Sequence, residues 1–157
     1  MNFTLKSTVT AICALCASAA ASADYHVKRS LELSSPAVEV WHLIGDFCDI
    51  DDWHPGVSTC SLKTIDGSLV RVLTTVSGNE IVQKRIAEEP GLSYTYKTVS
   101  SSLPIENFTA TLSIEPFGTP LVMWSGSFSS DDPAMEQIIV EDIETGMSAI
   151  EDVLKAR

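Results

Sequence analysis

The residues with the most chemical reach lie together in the run Phe47-Cys48-Asp49-Ile50-Asp51-Asp52-Trp53-His54-Pro55-Gly56. A histidine titrates near neutrality, and one oriented by a carboxylate can act as a general acid or base. Asp51 and Asp52 are the nearest carboxylates in sequence to His54. Trp53-His54-Pro55 fits equally well as a packed loop, in which His54 does no chemistry. Asp49, Asp51 and Asp52 hint at a calcium loop. Counting from Asp49, however, His54 stands where such a loop needs Gly, and Cys60 stands where it needs Glu.

A second set of polar groups falls in strand-like segments: Arg71, Glu80, Arg85 and Asn107. Arg71 is flanked by Val70, Val72 and Leu73. An inward arginine must pair within the protein or meet a ligand carboxylate or hydroxyl. Arg71 and Glu80 bracket the turn Ser77-Gly78-Asn79, and a cross-strand ion pair between them is preferred to ligand contact. Asn107-Phe108-Thr109 spells a glycosylation sequon inside a strand pattern and is read as accidental.

Cys48 and Cys60 flank the Trp-His-Pro segment. A bridge between them would close a short loop, worth on the order of 2–3 kcal/mol in the chain-entropy model. The other reading is two buried thiols.

These residues need elements to position them. Tyr25 to Leu33 alternates and reads as a strand. Ser35 as N-cap and Pro36 at the first helical position open a helix to about Asp46, with Trp41, Ile44 and Phe47 on one face. Asp49 to Trp53 reads as a helical turn stopped by Pro55-Gly56. Six strand segments follow, at 57–65, 69–76, 80–88, 92–99, 105–115 and 121–129. Turn signals separate them, Asp66-Gly67 being a strong hairpin signal, and together they predict an antiparallel meander.

Asp131-Asp132-Pro133 then opens a long helix whose stripe is Met135, Ile139, Ile143, Met147, Ile150 and Leu154. Such a stripe needs an apolar surface, and the face of the sheet is the one candidate, which makes the fold α+β. The stripe is either plain core or one wall of a cavity. On the strands, Tyr94, Tyr96, Phe108, Trp124 and Phe128 share the inward face by alternation. They pack the core, or line a pocket suited to a small apolar or aromatic ligand.

Residues 1–23 stand apart. Lys6 precedes a short apolar stretch from Val9 to Ala21, and Ala21-Ser22-Ala23 fits a cleavage site, so this segment reads as a signal peptide. The alternative is a retained anchor helix. Its removal takes Cys13, Cys16 and Lys6 and leaves residues 24–157 as one domain, with 9 basic against 21 acidic residues, a charge of −12. That charge disfavours nucleic acid and anionic membrane surfaces. It implies a soluble protein or a basic partner, in a periplasmic or secreted setting that permits disulfides. The stretch is too short to span a bilayer comfortably, so stable membrane insertion is not expected. No Cys-x-x-Cys, His-x-x-x-His, Gly-rich phosphate loop or Gly-x-Ser-x-Gly elbow occurs after residue 23, and neither metal nor cofactor is expected.

The order of elements, with Phe47…Trp53-His54-Pro55, Arg71-Val72-Leu73 after Asp66-Gly67, Tyr94-Thr95-Tyr96 and Trp124-Ser125-Gly126-Ser127-Phe128, resembles the START-like, helix-grip superfamily of polyketide cyclase/dehydrase and lipid-transport proteins. Within it the chain looks most like the secreted bacterial branch with the MxaD-type periplasmic proteins. Cys48 departs from the small residue expected there. The resemblance implies about seven curved antiparallel strands wrapped around the C-terminal helix, two short helices after the first strand, and a cavity between helix and sheet. It implies ligand contacts from Trp53, His54, Arg71, Tyr94, Tyr96, Phe108, Trp124, Phe128, Ile139, Ile143 and Met147. Three functions compete. The first is a non-catalytic periplasmic carrier for a small apolar or aromatic molecule. The second is a cyclase- or dehydratase-like enzyme using His54 or a carboxylate. The third is an acidic accessory protein docking on a basic periplasmic redox enzyme.

Overall fold

A computed structural model describes residues 22–157. The expected signal peptide therefore lies outside the described residues, apart from Ser22 and Ala23. In chain order the elements are β1 (Ala23–Glu32), α1 (Ala37–Ile44), α2 (Ile50–Trp53), β2 (Val57–Ile65), β3 (Ser68–Thr75), β4 (Glu80–Glu89), β5 (Ser93–Ser100), β6 (Glu106–Glu115), β7 (Leu121–Ser130) and α3 (Ala134–Lys155). The strands form one antiparallel sheet in the order β1-β7-β6-β5-β4-β3-β2. Strands β2 to β7 are a meander, and β1 lies beyond β7. The segment holding α1 and α2 therefore crosses from one edge of the sheet to the other.

Local chemistry explains the bends. Asp66 and Gly67 both take positive φ, 49° and 72°, as a two-residue type I′ hairpin requires. Register shifts interrupt the ladder at Val57/Thr59, Val82/Gln83, Arg85/Ala87 and Glu106/Thr109. Each bulge bends and twists its strand, which lets the sheet curl around a helix rather than lie flat. Asn107, at φ 55°, sits in the last of these bulges.

α3 fills the concave side. Its predicted stripe of Met135, Ile139, Ile143, Met147, Ile150 and Leu154 is buried in full, with Gly146 among them. The core it joins holds Tyr94, Tyr96, Phe108, Leu112, Trp124 and Phe128 from the sheet, and Val40, Leu43, Ile44, Phe47, Ile50 and Trp53 from the crossover segment. This is the α+β helix-grip architecture.

Three expectations need correcting. Pro36, not Ser35, is the N-cap of α1: its backbone is extended and no side chain caps the helix. The carbonyl of Pro36 accepts from the N–H groups of Glu39 and Val40, so the first helical bonds start there. α1 also ends at Ile44, which leaves Phe47 beyond the helix, buried by the bend that follows. Finally, Arg71 does not face Glu80. The register sets Arg71 opposite Gln83 and Glu80 opposite Thr74, because the β3–β4 turn closes around Ser77, six residues after Arg71 and only three before Glu80.

Candidate functional site

A cavity of about 90 Å3 opens between α3 and the sheet. A water needs roughly 10–15 Å3 measured this way, so the space equals several waters, or one substituted ring or short chain. One wall is aromatic, made by Tyr96, Phe108 and Trp124; Ile139 and Ile143 of α3 form the opposite wall. His54, Gly56 and Val57 close one side, and Leu103 and Ile105 of the β5–β6 connection border the other.

Of the residues expected to touch ligand, His54, Arg71, Tyr96, Phe108, Trp124, Ile139 and Ile143 line this space. Trp53, Tyr94, Phe128 and Met147 are buried but line other parts of the core. Phe128 stacks between Tyr25 and Phe108, with centroids 5.2 and 6.1 Å away. Tyr94 meets Phe47 edge-on at 5.5 Å. Alternation identified their inward face but not how deep along the strand the cavity reaches.

Arg71 is fully buried. Its Nε donates to Gln83 Oε1 at 2.8 Å, and its Nη1 donates to the Phe47 carbonyl at 2.6 Å. Its guanidinium carbon lies 4.3 Å from the Phe47 ring centre and 4.8 Å from that of Tyr96. These cation–π contacts offset part of the desolvation of a buried charge. Nη2 is buried without a partner. Burial pushes the phenols of Tyr94 and Tyr96 up from their ordinary range, with the Arg71 charge pulling the other way, at Tyr94 also through the nearness of its N–H groups, which stop short of a hydrogen bond. Both rings therefore stay neutral around the cation. Tyr96 accepts a hydrogen bond from Trp124 Nε1 at 3.1 Å.

His54 is held on both nitrogens. Nδ1 accepts from the Gly56 N–H at 3.1 Å, and Nε2 lies 3.2 Å from the Asp142 carbonyl oxygen. A carbonyl only accepts, so Nε2 carries the proton and donates. The Asp142 carboxylate is 3.7 Å from Nε2, while neither Asp51 nor Asp52 pairs with the ring. Burial raises the Asp142 carboxyl, and the neighbouring His54 opposes only part of that rise. Its side chain is 59 % exposed, so solvent screens much of either effect. Asp51 serves elsewhere, accepting from the Cys60 N–H at 2.8 Å.

Cys48 and Cys60 form a disulfide with Cα atoms 5.5 Å apart, which ties the bend before α2 to the edge strand β2. The remaining polar candidates stay away from the cavity. Arg85 pairs with Glu88 at 2.9 Å, and Glu80 and Asn107 are exposed. No group of three or more His, Cys, Asp or Glu residues suited to a metal ion occurs among the described residues. No helix there is long and apolar enough to cross a membrane.

Residues 24–155 match the family model for polyketide cyclase / dehydrase and lipid transport. The chain belongs to that family. Solved structures agree with its fold. The XoxI protein of Bacillus cereus is 27 % identical with a TM-score of 0.74, over 82 % of this chain and 94 % of that one. The Zhui aromatase/cyclase of Streptomyces sp. R1128 is 14 % identical with a TM-score of 0.69, over 86 % of this chain and 96 % of that one. Norcoclaurine synthase of Thalictrum flavum, solved with dopamine and hydroxybenzaldehyde, is 15 % identical with a TM-score of 0.63, over 87 % of this chain and 89 % of that one. At such identities the last two show a shared fold alone. No curated protein matches the sequence.

Several cavity residues escaped the sequence reading, among them Val57, Leu73, Leu103 and Ile105, and two others bear on its chemistry. Gln83 is in phase with Ile81 on β4, and both face inward, yet a glutamine between Val82 and Lys84 carries no hydrophobic signal. Asp142 sits on the polar face of α3 and contributes its main-chain carbonyl, which no side-chain pattern reveals.

Proposed function

We propose that this family member is a periplasmic binding or carrier protein for a small apolar or aromatic molecule, held between α3 and the sheet. One observation carries the reading: a cavity walled by Tyr96, Phe108 and Trp124 on one side and Ile139 and Ile143 on the other. A mostly apolar pocket with a few polar groups is the usual form of a small-molecule site. The disulfide is compatible with an extracytoplasmic setting, in line with a signal peptide over residues 1–23 and a single domain over 24–157.

Catalysis is the weaker reading. A general base needs a free lone pair, and His54 spends Nδ1 on Gly56 and Nε2–H on Asp142. The MxaD-like accessory role rests on a resemblance and on the acidic charge, which solubility explains as well.

Native mass spectrometry of protein isolated from its own cells tests the carrier reading. A retained small molecule is expected, and Ile139→Phe, which fills the cavity from α3, should abolish retention while the fold persists. Retention unchanged in Ile139→Phe would place any ligand elsewhere.

A further inference from the structure

Building on the binding-protein reading, we propose that the cavity takes the carboxylate of an organic acid with a small apolar or aromatic body, and that Arg71 is its counter-ion. A guanidinium has five N–H donors. In Arg71 one goes to Gln83 and one to the Phe47 carbonyl, and Nη2, wholly buried, has no acceptor. Gln83, the residue facing it, is a neutral amide that also reaches Thr98. Among the described residues the ion pairs are Arg29–Glu144, Arg85–Glu88 and Lys155–Glu151, none involving Arg71.

A buried charge lacking a counter-ion is strongly unfavourable, and aromatic faces attract a cation without giving its N–H groups an acceptor. A carboxylate supplies both the charge and the acceptors, and it matches the planar fork of a guanidinium. Tyr96 lines the same cavity. Its oxygen already accepts from Trp124, so its own O–H is left to donate to a ligand oxygen. The apolar body would then lie along Phe108, Trp124 and Ile143. The chain's formal charge of −11 does not oppose this. Exposed charges are screened beyond about 8 Å at physiological salt, whereas Arg71 acts at contact.

Isothermal titration with matched probes tests the proposal: benzoate, phenylacetate and hexanoate against benzamide, phenylacetamide and hexanamide. The acids are expected to bind about tenfold more tightly or better, the difference between a charged and a neutral hydrogen-bond pair. Gln83→Glu places an isosteric carboxylate beside Arg71 and should erase that preference. The Arg71 guanidinium NMR signals of the unmodified protein should shift with benzoate and not with benzamide, which needs no variant to fold. Amides binding as tightly as acids would overturn the anion assignment and leave the cavity reading intact. Binding of neither series would overturn both. An acid preference that survives Gln83→Glu, or Arg71 signals unmoved by benzoate, would remove Arg71 from the site.

Discussion

Gly146 on α3 faces His54 so closely that a side chain has no place between them. A Cβ built on Gly146 would lie 2.6 Å from His54 Cδ2 and 2.8 Å from Trp124 Cζ3. Neither ring can swing away. His54 is fixed by two hydrogen bonds, and the Trp124 indole is tied to Tyr96. The glycine lets α3 approach the loop after α2, and so sets the height of the cavity roof.

Gly146→Ala sets two effects against each other. Alanine gains about 1 kcal/mol of helix propensity over glycine. Overpacking a filled core costs typically 1–3 kcal/mol. With two rigid rings at under 3 Å the clash wins, so urea denaturation should show a net loss of up to about 2 kcal/mol. A more stable Gly146→Ala protein would mean that the rings yield.

His54→Phe keeps a ring in the core and removes both hydrogen bonds. The Gly56 N–H would lose its acceptor, at a cost of about 1–3 kcal/mol. Ligand retention in native mass spectrometry should survive, since the ring packs as wall rather than reacting. Loss of retention at full stability would instead make His54 a direct ligand contact.

The Cys48–Cys60 disulfide closes a loop with a sequence separation of 12 residues. Replacing both cysteines with serine should lower stability by about 2–3 kcal/mol in the chain-entropy model. The thermal midpoint should fall, and reductant should have no further effect on the variant. Equal midpoints would show that the β2–β3 ladder and the Asp51–Cys60 contact hold β2 in place without the bridge.

Burial raises the phenols of Tyr94 and Tyr96 above the ordinary value of 10.0. Below that value both states hold the protons and stability is fully present. Above it the unfolded chain releases protons that the folded chain retains, so stability falls as pH rises. Tyrosinate absorbance should therefore lag, with two of the three tyrosines titrating only as the protein unfolds. Smooth titration of all three in a folded protein would contradict their burial.

Much of the fold was legible because its signals are periodic. The α3 stripe and the alternation of Phe108, Ala110, Leu112 and Ile114 on β6 each identify one buried face. Asp66-Gly67 marked a turn that only certain residues can make. The site was less legible. Pairing register decides what Arg71 faces, and its partner lies three residues from the one sequence spacing suggested. The β3–β4 ladder is regular, so the centre of its turn, which the sequence placed only approximately, fixes that register. His54 stood out, but its partners are a glycine amide and a helix carbonyl, both main-chain groups invisible to motif reading.

The amide of Gln83 has an evolutionary consequence. Glutamine and glutamate codons differ in one base, so a single nucleotide change would set a carboxylate against Arg71 in the same steric frame. In this chain such a change would turn an interior that leaves the Arg71 cation without a counter-ion into one that supplies it, in the same volume.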